Sequence, residues 1–145
     1  MKAVVQRVSR ARAVVDDAVV GEIGGGLCIL LGIAEGDDEA TAARLAGKSA
    51  RLRIFENEKG KFDRNVLDVG AEALVVSQFT LIADTQKGNR PSFSHAARPE
   101  LAEPLYEAFC RGLEAEGVRV ARGVFGARMS IELVNEGPVT VVLET

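Results

Sequence analysis

The stretch KAVVQRVSRARAVVDDAVVGEIGGGLCILLGI, residues 2–33, decides the fold class. Lys2 to Val15 is β-rich, Asp16-Asp17 has the composition of a turn, and Ala18 to Ile23 is again strand-like until Gly24-Gly25-Gly26 interrupts it. Leu27 to Ile33 is then an apolar run of strand length. The chain therefore opens with strands joined by short turns. The glycine triplet invites a phosphate-loop reading, but such loops open a helix and carry a downstream Lys-Ser or Lys-Thr pair, whereas a strand follows here.

Beyond Gly36, Asp37 or Asp38 is placed to cap a helix whose positions Ala42, Leu45, Ala46 and Ser49 recur at three- and four-residue spacing, which predicts a first helix to about Ala50. The acidic group Glu35, Asp37, Asp38 and Glu39 complements the dipole of that helix and is read as capping, not as a metal site. Arg51 to Phe55 is β-compatible, Glu56 to Asn65 is a charged loop, and Ala73 to Ile82 is a buried strand. Ala83 to Arg98 is polar loop. Pro99 opens a second helix through about Glu116, with Leu101, Leu105, Phe109 and Leu113 on a drifting stripe that faces a sheet. Val118 to Ala121, Arg128 to Val134 and Val139 to Glu144 predict three closing strands, the last two joined by a hairpin turn with a trans peptide at Asn135-Glu136-Gly137-Pro138. The expected fold is α+β: antiparallel and mixed β-sheets, barrel-like, with two helices packed on one side, in one domain over 1–145.

Composition narrows the function. At 145 residues and 47% hydrophobic content, the chain is long enough to bury a real core. Lys2, Arg7, Arg10 and Arg12 break up the N-terminal apolar residues, so neither a signal peptide nor a membrane span is expected, and the protein is placed in the cytoplasm. Cys28 and Cys110 lack metal or redox spacing and are read as buried thiols. The formal net charge of −3 argues against a protein that wraps nucleic acid along its length, while leaving room for contact with one nucleic-acid end. His95, the sole histidine, is read as a solvated loop residue, and no metal site or cofactor is expected.

Polar groups at the end of an apolar strand need partners, which singles out Ser77-Gln78-Phe79-Thr80. They either bond to a neighbouring loop or present hydroxyls and N–H groups to an ester carbonyl. Lys87-Gly88-Asn89-Arg90 suits a phosphate or terminal nucleotide, or is merely solvated.

Six segments in order resemble the D-aminoacyl-tRNA deacylase family: Gln6-Arg7-Val8, Leu52 to Phe55, Ser77 to Leu81, Lys87 to Phe93, Phe125-Gly126-Ala127 with Met129, and Asn135 to Thr140. The resemblance runs over nearly the whole chain. It implies a homodimer that hydrolyses the ester joining a D-amino acid, or glycine, to the terminal adenosine of tRNA. It further implies that Gly137-Pro138 is cis and enters the partner subunit's site, where it excludes L side chains, with Arg7 holding it. Ser77, Gln78, Phe79 and Thr80 would form the catalytic floor, with N–H groups around Gln78 and Phe79 facing the oxyanion. Thr80 would be either a nucleophile or a bystander to attack assisted by the ribose 2′-hydroxyl. Phe125, Gly126 and Met129 would face the adenine. Ile82 and Phe62-Asp63-Arg64 depart from the family pattern. Apart from the resemblance, an esterase using Ser77 or Thr80 and a non-catalytic RNA-end-binding module remain open.

Overall fold

Strand β1 (Lys2–Val15) is paired along both edges in the computed structural model, which describes residues 1–145. One edge carries β8 (Ser130–Glu144), antiparallel from Lys2↔Glu144 to Val14↔Ser130. The other edge pairs first with β3 (Gly26–Gly32) and then with β2 (Ala18–Ile23), both antiparallel. From β3 the sheet continues through two parallel pairings, to β6 (Glu72–Ser77) and then β7 (Arg119–Arg122). The sheet curls until β2 approaches β7, where a Cβ on Gly21 would lie 2.3 Å from the Arg122 carbonyl oxygen. The result is a mixed, nearly closed barrel.

Helices α1 (Glu39–Arg51) and α2 (Pro99–Ala115) lie on one side of it. Leu27, Ile29 and Leu31 of β3 and Ala73 and Val75 of β6 face Leu45, Ala46, Leu105, Phe109 and Leu113 of the helices in the main core. The opposite faces of the same strands, through Cys28, Leu74 and Val76, meet Val8, Ala11 and Ile23 in a second core inside the barrel. Strands buried on both faces read as continuous apolar runs, which explains why β3 and β6 show no alternation. Burial pushes the Cys28 thiol up to about 11 and the Cys110 thiol up to about 12, so both remain protonated hydrophobes at neutral pH.

The predicted helices form where the spacing places them. Asp38 caps α1 by accepting from the Thr41 N–H at 2.8 Å, and that bond with a second from the Thr41 hydroxyl holds its carboxyl below the usual range. Asp37 instead accepts from the Ala34 N–H at 2.8 Å and pairs with the Met1 ammonium group. In α2 the buried set is Ala102, Leu105, Tyr106, Phe109, Cys110 and Leu113, while Leu101 is exposed, because strict four-residue spacing drifts off the face.

Some expectations need correction. Arg51 ends α1, and the strand after it is only Phe55–Glu56 (β4); the charged segment that follows closes a small hairpin with Phe62–Arg64 (β5). The strand predicted over Ala73 to Ile82 ends at Ser77, and Phe79–Leu81 turn into a 3₁₀ helix, because the ladder to β3 runs out near Leu31. The segment Ala83 to Arg98 is loop, as expected, but is pinned by the bridges Ala34↔Ala96 and Asp84↔Ser92. Arg128 to Val134 and Val139 to Glu144 form no hairpin: they are one strand, β8, laid along β1 from end to end. Gly137 and Pro138 interrupt that strand without reversing it.

Gly26 shows why the triplet carries no phosphate loop. A Cβ there would sit 1.9 Å from the Glu72 carbonyl oxygen, and φ is +155°, so the parallel approach of β3 to β6 requires glycine. Gly26→Ala is expected to destabilise the fold by at least about 2 kcal/mol. Urea unfolding reads this as a lowered midpoint; an unchanged midpoint would refute the requirement.

Candidate functional site

The last ladder bond of β6 is donated by the Gln78 N–H to the Leu31 carbonyl at 2.8 Å. That amide, which the family resemblance offers to an oxyanion, is thus engaged within the sheet. The chain then tightens through Leu81 N–H to Gln78 O, at 3.2 Å, and Ile82 N–H to Phe79 O, at 2.9 Å. The amides of Phe79 and Thr80 are the first two of this turn, and neither donates to a turn or loop carbonyl. Two adjacent N–H groups at the start of an exposed turn make a natural seat for a developing negative charge. The Gln78 side-chain amide donates to the Thr80 hydroxyl, which leaves the Thr80 proton available for donation.

Ser77, Gln78 and Phe79 form one wall of a cleft of about 530 Å³. Phe125, Gly126 and Met129 line the same cleft, joined by Phe93, Ala96 and Ala97 from the loop before α2. Phe79 and Phe93 meet edge-to-face with centroids 5.3 Å apart. Phe125 rests on Tyr106 at 6.0 Å, and the Tyr106 hydroxyl donates to the Val75 carbonyl at 2.7 Å, tying this wall to the main core. Burial pushes the Tyr106 hydroxyl well above its ordinary range, so it serves as a fixed donor. Among the cleft-lining residues there is no histidine, carboxylate, lysine or arginine. His95 is exposed and engages the rest of the fold through its backbone carbonyl, which accepts from the Glu35 N–H at 2.9 Å. No group of three His, Cys, Asp or Glu side chains is placed to hold a metal ion.

Arg7, Gly137 and Pro138 lie elsewhere. Between Val8↔Asn135 and Gln6↔Thr140, β8 carries four residues, Glu136 to Val139, opposite the single residue Arg7. The surplus bulges outward, exposing Gly137 and Pro138, and their peptide bond is cis where local sequence statistics favour trans. Asn135 closes the bulge: its side-chain oxygen accepts from Val139 N–H at 3.1 Å and its amide donates to the Thr140 hydroxyl at 3.0 Å. Buried Arg7 donates through Nε to the Glu136 carbonyl, at 3.2 Å, and through Nη1 to the Ile54 carbonyl, at 2.9 Å. None of Arg7, Gly137 and Pro138 lines the cleft of its own chain. Lys87 to Arg90 are exposed and also outside the cleft lining.

The sequence model of the D-Tyr-tRNA(Tyr) deacylase family matches residues 4–144. This chain belongs to that family. Membership makes it an enzyme, a hydrolase. The D-aminoacyl-tRNA deacylase of Roseiflexus castenholzii is 59% identical over 145 residues, covering 100% of this chain and 92% of the relative. That of Deinococcus radiodurans is 56% identical over 144 residues, covering 99% of each. Among solved structures, one titled c-Myc DNA unwinding element binding protein superposes with a TM-score of 0.93 at 42% identity, covering 100% of this chain and 99% of that one. A probable eukaryotic D-amino acid tRNA deacylase, at 19% identity, shares the fold with a TM-score of 0.84 over 98% of this chain and 97% of its own.

Sequence reading missed Asn135 as the clamp of the bulge, although an Asn ahead of a Gly-Pro pair is a known local signal, since its side chain readily bonds the backbone a few residues on. It also missed Tyr106 as the support of the Phe125 wall, because a buried helical tyrosine reads as core. Asn135→Ala strips the Val139 N–H of its acceptor and should cost about 1–2 kcal/mol. Amide hydrogen exchange checks it: Val139 should exchange faster than in wild type, and equal protection would refute the clamp.

Proposed function

We propose that this chain hydrolyses the ester bond of D-aminoacyl-tRNA, and of mischarged glycyl-tRNA, releasing the free amino acid and tRNA. The observation that carries the reading is a cleft with aromatic walls and no ionisable lining group, opening beside the first backbone amides of the Phe79–Leu81 turn, in a chain of this family. The terminal adenine suits the apolar interior, where Phe125 and Met129 offer a ring face and a polarizable sulfur. The ester carbonyl then meets the Phe79 and Thr80 amides, which stabilise the oxyanion as water attacks and the ribose oxygen leaves.

An apolar cleft with no base to activate Ser77 or Thr80 speaks against a protein nucleophile. The vicinal 2′-hydroxyl of the tRNA is held next to the ester by the substrate itself, so positioning suffices to recruit it. The exposed Gly137-Pro138 bulge lies outside its own cleft, which favours a homodimer in which each bulge closes the partner's site. There its carbonyls would face the substrate's α-carbon and turn away any L side chain, so selection works by rejection, and glycine passes for want of a side chain. Arg98 and Arg128 adjoin cleft-lining residues and form no ion pair within the chain, which suits contact with phosphates of the acceptor end alone. The reading needs no cofactor and places a single catalytic unit, 1–145, in the cytoplasm with the translation machinery.

Single-turnover hydrolysis of matched D- and L-tyrosyl-tRNA tests the reading, with rapid loss of the D ester alone expected. Cleavage of both, or of neither, would overturn it in favour of a general esterase or a binding module. In the same assay Thr80→Ala is expected to keep activity within about ten-fold, the scale of one lost hydrogen bond. A loss on the order of 10⁴ or more with the fold intact would restore a threonine nucleophile.

A further inference from the structure

Arg7 is held from two directions. One contact reaches the bulge, Nε to the Glu136 carbonyl at 3.2 Å. The others come from the β4–β5 hairpin: the Ile54 carbonyl just before it, at 2.9 Å from Nη1; the Glu56 carboxylate, 3.6 Å from Nη2; and the Phe62 ring, whose centroid lies 5.6 Å from the guanidinium carbon. Glu56 and Phe62 are themselves register partners across the hairpin. The hairpin is braced independently, since Arg53 bonds the Asp63 carbonyl and carboxylate and Arg64 pairs with Glu58. Phe62 is 53% exposed, so its ring contributes little to the core and its one specific contact here is the face it offers to Arg7. A Cβ built on Gly137 would lie 3.0 Å from Arg7 Nη2, so the guanidinium sits close against the backbone of the bulge as well as bonding the Glu136 carbonyl.

We infer that Phe62 is a positioning residue for specificity: its ring fixes the Arg7 guanidinium, and through it the exposed Gly137-Pro138 backbone. The inference rests on the reading that this bulge meets the substrate. A cation held over an aromatic face and against a carboxylate loses rotational freedom without being neutralised, so it keeps gripping the Glu136 carbonyl. Removing the ring leaves the hydrogen bonds formally possible but widens the range of guanidinium orientations. The bulge then samples more positions, and rejection of L side chains suffers before hydrolysis of the D ester does.

The test compares wild type with Phe62→Ala, Phe62→Leu and Phe62→Tyr as full-length proteins. Hydrolysis of D- and L-tyrosyl-tRNA and the Arg7 Nε–H resonance of the free protein are the readouts. Phe62→Ala is expected to lower the D-over-L ratio of kcat/KM about five-fold, the scale of one cation–π contact, chiefly by raising the rate on the L ester. Phe62→Leu, which restores apolar cover without a π face, should stay low, and Phe62→Tyr should recover. Faster solvent exchange of Arg7 Nε–H in the Ala and Leu variants would place the effect at the guanidinium. An unchanged ratio in Phe62→Ala, or rescue by Leu equal to that by Tyr, overturns the inference. The resonance is read without substrate, so the Phe62–Arg7 coupling stands or falls by itself, whereas a wild type with no preference for the D ester overturns the reading of the bulge.

Discussion

The antiparallel ladder between Lys2–Val15 and Ser130–Glu144 constrains everything else in the molecule. It ties the two ends of the chain together, and because β1 is bonded on its other edge to β3 and β2, any irregularity in β8 must be absorbed outward. Four residues facing one is such an irregularity. Three adaptations accompany it: Arg7 turns inward to satisfy the Glu136 carbonyl, Asn135 supplies the acceptor that the ladder no longer provides at Val139, and Gly137 tolerates a backbone no larger residue would fit.

A second irregularity on the same ladder has a different consequence. Val8 pairs with Asn135 and Arg10 with Val134, so Ser9 is an extra residue in β1, and the strand changes which residues it turns inward. Ala3 and Val5 serve the helix-covered core, while Val8 and Ala11 serve the barrel interior. One strand thereby joins two cores, and the end of β6 between them is where Ser77 to Phe79 open into the cleft.

The cleft owes its chemistry to what it leaves out. A buried acid or base has to be solvated or paired, and an apolar wall built on Phe79, Phe93 and Phe125 offers neither. Backbone amides carry no such cost, because their partial charges are fixed by the turn that holds them. A site of this kind stabilises charge and positions a substrate, and it holds no ionisable side chain to activate an attacking group. On the proposed reading, contact confined to the acceptor end also fits a net charge of −3.

Local rules written in the sequence determined the helices, because capping and apolar spacing act over three or four residues, and Asp38 and the buried stripe of α2 obey them. They determined the doubly buried β3 and β6 through unbroken apolar runs, and the sequence resemblance determined the family. Where the strands at the C-terminus went was beyond such rules. Asn135 to Pro138 has the composition of a turn, and only pairing with a strand more than a hundred residues away in the chain makes it a bulge. The end of β6 at Ser77, the meeting of Phe79 with Phe125 and Met129, and the seat of Arg7 between the hairpin and the bulge likewise depend on residues distant in sequence. Periodicity and propensity are properties of neighbours along the chain, whereas a cleft or a bulge is set by which strands exhaust their partners first, and that is decided only when the sheet closes.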